Sequence, residues 1–148
     1  SDLEKHKCTI EEMEEYEPHI TRGNVVFAGA DYQSIIREAE KEADFILWDG
    51  GNNDLSFYKP DLSIVVTDPH RAGHELRYFP GETNLMMADV VVINKIDTAD
   101  EKDVETVAQN IRMVNPKATI IKGASPITVE NSELIEGKKF WWLKTGQL

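Results

Sequence analysis

The run Val90-Val91-Val92-Ile93 passes straight into Asn94-Lys95-Ile96-Asp97, four β-branched residues ending at a polar turn. Its apolar residues are consecutive instead of alternating with polar ones, the pattern of a strand buried in a parallel sheet. Four other runs resemble it. Val25-Val26-Phe27-Ala28 follows the turn Arg22-Gly23-Asn24, and Phe45-Ile46-Leu47-Trp48 ends at Asp49-Gly50-Gly51. Leu62-Ser63-Ile64-Val65-Val66-Thr67 ends at Asp68-Pro69, and Thr119-Ile120-Ile121 ends near Gly123-Ala124-Ser125. Helical patterns separate them. Asp31 is placed to cap a helix with the apolar stripe Ile35, Ile36, Ala39 and Ala43. Val104, Val107, Ala108, Ile111 and Val114 recur at helical spacing until Asn115-Pro116. Nearer the start, Thr9 and Glu12 have the spacing of a capping box, and Pro18 is expected to stop that helix. Alternating β and α segments predict an α/β fold, a mostly parallel sheet with helices on both faces.

The 148 residues suit one domain, and a second is not expected. A net charge of -11 argues against a broad nucleic-acid or anionic-membrane surface, either of which needs a basic field. No apolar run approaches the roughly 20 residues of a membrane span. The acidic start differs from the basic, then apolar, opening of a secretory leader. A single cysteine, Cys8, excludes an internal disulfide and suits a reducing compartment, so a cytoplasmic location is expected.

Ligands of open α/β sheets sit beyond the carboxyl ends of the strands, so the polar residues after each run carry the functional reading. Asn94-Lys95-Ile96-Asp97 has the N-K-x-D form that reads guanine in GTPases. Asp97 would accept from the ring N–H and the exocyclic amine of guanine, a pair of donors that adenine does not present. Asn94 would fix the loop and the base edge, and the Lys95 stem would cover the base face. The competing role for Asp97 is the N-cap of the helix over Val104–Val114, and the two are compatible. Asp49-Gly50-Gly51 follows its run in the manner of a Walker-B strand, with Asp49 toward Mg²⁺ and the glycine N–H groups toward a phosphate. Arg71, His74 and Arg77 gather positive charge after the third run, where they would clamp a small anionic substrate; a solvated loop explains them equally well. Ala124 and Ser125 lie where a backbone N–H would meet the guanine oxygen. No G-x-x-x-x-G-K-[ST] loop is present: Gly137-Lys138-Lys139 has Ser132 where the first glycine belongs and lacks the terminal hydroxyl residue.

Taken together, these residues resemble the cyclic 2,3-diphosphoglycerate synthetase family and its GTPase-like relatives. The resemblance rests on Thr9-Ile10-Glu11-Glu12 through Tyr16-Glu17-Pro18-His19-Ile20, on Trp48-Asp49-Gly50-Gly51-Asn52-Asn53-Asp54 and on Arg71-Ala72-Gly73-His74-Glu75. It also rests on Tyr78-Phe79-Pro80-Gly81-Glu82-Thr83-Asn84 and Asn94–Asp97, and it covers nearly everything from Leu3 to Lys139. It implies a P-loop NTPase-like fold and an enzyme that spends a nucleoside triphosphate, GTP or ATP with Mg²⁺, on closing a phosphoanhydride. Members of the family are longer and carry a P-loop ahead of the matching region. Residues 1–139 are therefore expected to be the C-terminal part of the nucleotide-binding domain, inactive alone. An unpaired sheet position follows, and with it self-association or pairing with a separately encoded N-terminal half. Residues 140–148 depart from the family's strand and are expected to be an out-of-frame tail, an idea lost if no downstream reading frame continues that strand. Two other readings stand beside this one, a non-catalytic α/β assembly module and a metallochaperone-type GTPase.

Overall fold

A computed structural model of the protein describes residues 5, 7–51, 54–126, 128, 133 and 137; the tail expected to be out of frame lies outside them. The described residues fall into two compact units, one drawn from Ser1–Gly50 and Ser56–Tyr58, the other from Gly51–Leu55 and Lys59–Leu148.

Two helices of the first unit lie wholly among the described residues. Helix α1 (Ile10–Thr21) starts at Thr9, whose hydroxyl accepts from the Glu12 N–H while the Glu12 carboxylate accepts from the Thr9 N–H, the capping box read from the sequence. Pro18 does not stop α1, contrary to expectation. Proline's locked φ is itself helical, so its cost is one missing N–H and a steric push on the preceding turn, and this exposed helix runs on for three residues. Helix α2 (Tyr32–Ala39) is capped by Asp31, which accepts from the Ser34 N–H and hydroxyl. Those bonds, the hydroxyl's first, hold the Asp31 carboxyl below its ordinary value.

Two of the expected strands are corrected in this unit. Val25–Ala28 and Phe45–Trp48 form no strand, and Phe45 and Leu47 are 91% and 92% exposed. A strand is stable only when another pairs with it, and no described residue hydrogen-bonds either segment into a ladder. Asp49 and Gly50 therefore follow no strand, and the Trp48 ring instead folds back over Gly50.

The second unit is the α/β body. Strands β1 (Ile64–Thr67), β2 (Val90–Ile93) and β3 (Thr119–Lys122) pair in parallel in the order β1-β2-β3. Their register sets Thr67 beside Ile93 and Ile93 beside Lys122, so the three strands end level. Parallel strands need crossovers. Helix α3 (Gly81–Met87) lies in the first crossover, after two short 3-10 turns, Pro69–Arg71 and His74–Leu76; helix α4 (Glu101–Val114) fills the second. Gly73, at φ +91, starts the second turn in a conformation that suits glycine.

The core is the layer between sheet and helices. Val91 and Ile93 from β2, Leu85 from α3, and Val104, Val107, Ala108 and Ile111 from α4 are buried together, with Val65 and Ile120 at its edges. Each large side chain so buried is worth about 1.5–3 kcal/mol. Asn115, buried where α4 ends, donates from its amide to the carbonyls of Leu85 and Ala88 at 2.9 and 2.8 Å, tying the end of α3 to the end of α4. The opposite sheet face is apolar too, yet Ile64, Val66 and Ile121 are 53%, 64% and 48% exposed. Among the described residues the helices α3 and α4 line one face of the sheet. No described helix is long and apolar enough to cross a membrane.

Candidate functional site

The level carboxyl ends of β1, β2 and β3 bring three loops of the second unit together. The first is Asp68–Arg71. The side chain of Asp68 accepts from the His70 N–H at 3.1 Å, so the chain turns at once into the 3-10 turn that begins with Pro69. The second is Asn94–Asp100. The Asn94 N–H continues the ladder to the Thr67 carbonyl at 3.0 Å, after which the chain bends at Lys95, whose φ is +57. Left-handed backbone is uncommon for a side-chain-bearing residue and is a feature of strained, functional turns. The Lys95 carbonyl then accepts from the N–H groups of Thr98 and Ala99, closing the loop. The third is Gly123–Ser125. Gly123 donates to the Ile93 carbonyl and accepts from the Ile96 N–H, so this loop is stitched to the second one. A Cβ at Gly123 would lie 3.4 Å from Val92 Cγ1 and 3.5 Å from Asn94 Oδ1, in ordinary van der Waals contact with both.

Side chains complete the arrangement. Asp97 Oδ1 accepts from the Ser125 N–H at 3.0 Å. Its expected alternative role is excluded, because α4 begins at Glu101 with Asp100 at the N-cap. Lys95 Nζ lies 2.9 Å from Asp68 Oδ2, and Arg71 Nη2 lies 3.3 Å from the same oxygen. The Lys95 hydrogen bond is the main reason the Asp68 carboxyl sits below its ordinary value, with the His70 N–H and Arg71 adding to it against partial burial. His70 Nε2 is 3.0 Å from the Thr98 hydroxyl. A shallow cleft of about 280 Å³ beside the second loop is lined by Ile96, Ala99, Glu101, Val104 and Lys122.

The sequence-predicted residues therefore divide. Asn94, Lys95, Asp97, Ala124 and Ser125 are brought into one cluster, and Arg71 joins it through Asp68. His74 packs edge-on against Tyr78 with ring centroids 5.6 Å apart, and Arg77 is exposed. Gly51 donates to Asp54 Oδ2 within the second unit, while Asp49 and Gly50 belong to the first. Asp49 is exposed and follows no strand. No group of three His, Cys, Asp or Glu placed to hold a metal occurs among the described residues. A single exposed carboxylate does not make a protein cage for Mg²⁺. The sequence assigns Asp68 no role beyond ending the β1 run. The signal for it was present, since it is the first polar residue after the β1 run.

Chemically, the cluster offers a carboxylate whose position is fixed by a backbone donor, a neighbouring amide side chain and a lysine stem, all at one rim of a parallel sheet. A flat heterocycle carrying adjacent N–H donors is the ligand such a set can orient.

Comparison with known proteins gives three findings. Residues 21–124 match the family described as cyclic 2,3-diphosphoglycerate synthetase, P-loop domain. The chain is similar to arginine synthetase ArcE of Thermococcus kodakarensis, 64% identical over 145 residues that make up 98% of this chain and 32% of that protein. It is also similar to the cyclic 2,3-diphosphoglycerate synthetase of Pyrococcus furiosus, 26% identical over 98 residues, 63% of this chain and 23% of that protein. The chain thus spans about a third or less of the length of these curated relatives. No solved structure matches.

Proposed function

The chain belongs to the cyclic 2,3-diphosphoglycerate synthetase P-loop domain family, and from that premise we propose that it is the nucleotide-binding part of a nucleoside-triphosphate-dependent synthetase whose base site reads guanine. The observation that carries the reading is the Asp97–Ser125 hydrogen bond, which joins the N-K-x-D turn to the loop after β3. Asp97 keeps acceptor capacity for the N1–H and exocyclic amine of guanine, and the Ala124 N–H is the donor for its carbonyl. Asn94, held in the ladder by its own N–H, supports the turn from beneath. Arg71 faces the anionic part of the ligand, with His74 and Arg77 farther along the same segment. A phosphate role for Gly50 and Gly51, and a metal role for Asp49, rest on the sequence resemblance alone and are not part of the rim described above.

The substrate follows the nearer likeness. A relative 64% identical is named an arginine synthetase, whereas the one named for cyclic 2,3-diphosphoglycerate is 26% identical. Arginine formation is therefore preferred to phosphoanhydride closure as the reaction this domain serves. Titrating fluorescent GDP and ADP analogues into the purified chain, with and without Mg²⁺, tests the reading. The expected outcome is saturable binding of the guanine analogue at least tenfold tighter than that of the adenine analogue, about the 1.4 kcal/mol that one good hydrogen bond supplies. Equal affinities overturn the guanine assignment.

One observation favours a second reading, an assembly module. The apolar sheet face of Ile64, Val66 and Ile121 is open among the described residues, and apolar surface of that kind marks association. A homodimer, or a separately encoded partner, would cover it.

A further inference from the structure

Asp68 stands at the end of β1 as Asn94 stands at the end of β2, and its carboxylate is the hub of the polar rim: one oxygen takes the His70 N–H, the other takes Lys95 and Arg71. We propose that Asp68 is a positioning residue for purine binding, holding the Lys95 ammonium so that the lysine stem is already laid across the rim where it covers one face of the base. The proposal rests on the guanine reading above.

Both ends of the Lys95 stem are fixed. At the main chain, the left-handed turn and the two N–H groups bonded to the Lys95 carbonyl set the direction in which the side chain leaves. At the tip, the ammonium sits 2.9 Å from Asp68 Oδ2. A free lysine must give up several rotors when a base settles on it, and a tethered one has already given them up on folding. The pair is partly open to water, the Asp68 side chain 22% and that of Lys95 43% exposed, so its contribution to stability is small. Its consequence lies in the geometry presented to a ligand. Asp68 also stays ionised below the usual carboxylate range, which keeps the tether in place across the pH at which nucleotides are bound.

A double-mutant cycle on the full chain, read by GDP affinity, tests this. Asp68→Asn keeps an oxygen for the His70 N–H and removes the charge that holds Lys95. It is expected to weaken GDP binding about 2- to 10-fold, the cost of immobilising one long side chain. Lys95→Met keeps an apolar stem without the ammonium and is expected to cost the same. In the Lys95→Met background, Asp68→Asn is expected to change nothing further. An equal loss in both backgrounds overturns the proposal, since Asp68 would then act through the fold alone. Thermal melting of each variant reports folding. If Asp68→Asn does not fold, Lys95→Met answers by itself, and wild-type affinity in that variant overturns the proposal. Wild-type protein that binds GDP while Asp68→Asn binds it equally well defeats this inference and leaves the guanine reading standing. Wild-type protein that binds no GDP defeats both.

Discussion

Asp97→Asn is expected to weaken guanine-nucleotide binding about 100-fold, roughly 2.7 kcal/mol, because the charge-assisted hydrogen bond to the exocyclic amine, worth roughly 1.5–3 kcal/mol, is exchanged for a mismatched amide. The substitution leaves the rim intact. Asparagine retains an oxygen that accepts from the Ser125 N–H, so the bond joining the second and third loops survives. What changes is the pattern shown to the base. The amide NH₂ now meets the exocyclic amine of guanine, donor against donor. Xanthine carries a carbonyl at that carbon, so the variant is expected to prefer the xanthine nucleotide over the guanine one. Competition of GDP and XDP against one fluorescent analogue measures both effects. A variant that binds GDP as tightly as the wild type removes Asp97 from the base site.

The second large effect concerns stability. Ile111→Ala is expected to cost about 3–4 kcal/mol in urea denaturation, within the 2–5 kcal/mol range for truncating a buried isoleucine. Ile111 is fully buried on α4 in one cluster with Val91, Ile93 and Leu85, and a packed cluster relaxes only partly around a void. That is a large share of the roughly 5–15 kcal/mol by which domains are stable. Met113, two residues on and 69% exposed, is the internal control. Met113→Ala is expected to stay within about 0.5 kcal/mol of wild type, as surface substitutions do. A loss below 1 kcal/mol for Ile111→Ala would show that α4 does not pack on the sheet as described.

The sheet and α4 were legible in the sequence because their signals are local. Three β-branched runs became β1, β2 and β3, and the spacing of Val104, Val107, Ala108 and Ile111 became the buried stripe of α4. Val25–Ala28 and Phe45–Trp48 carried the same signal and formed no strand, since an apolar run states that a strand can form without supplying its partner. The polar rim was half legible. Asn94, Lys95 and Asp97 announced themselves as a motif, and Ser125 by its place after β3. The Asp68–Lys95 pair did not, because its members are 27 residues apart and meet only once β1 and β2 are paired in register. The sequence also left two roles open to Asp97, and the start of α4 at Glu101 separates them.

Whether the loops after β2 and β3 form one base-binding rim is answered by amide chemical-shift mapping of the ¹⁵N-labelled chain during GDP titration. Saturable shifts centred on Lys95, Asp97, Ala124 and Ser125 are expected, with the exposed face of Ile64 and Val66 unmoved. Shifts that leave those four amides in place while GDP binds elsewhere would contradict it.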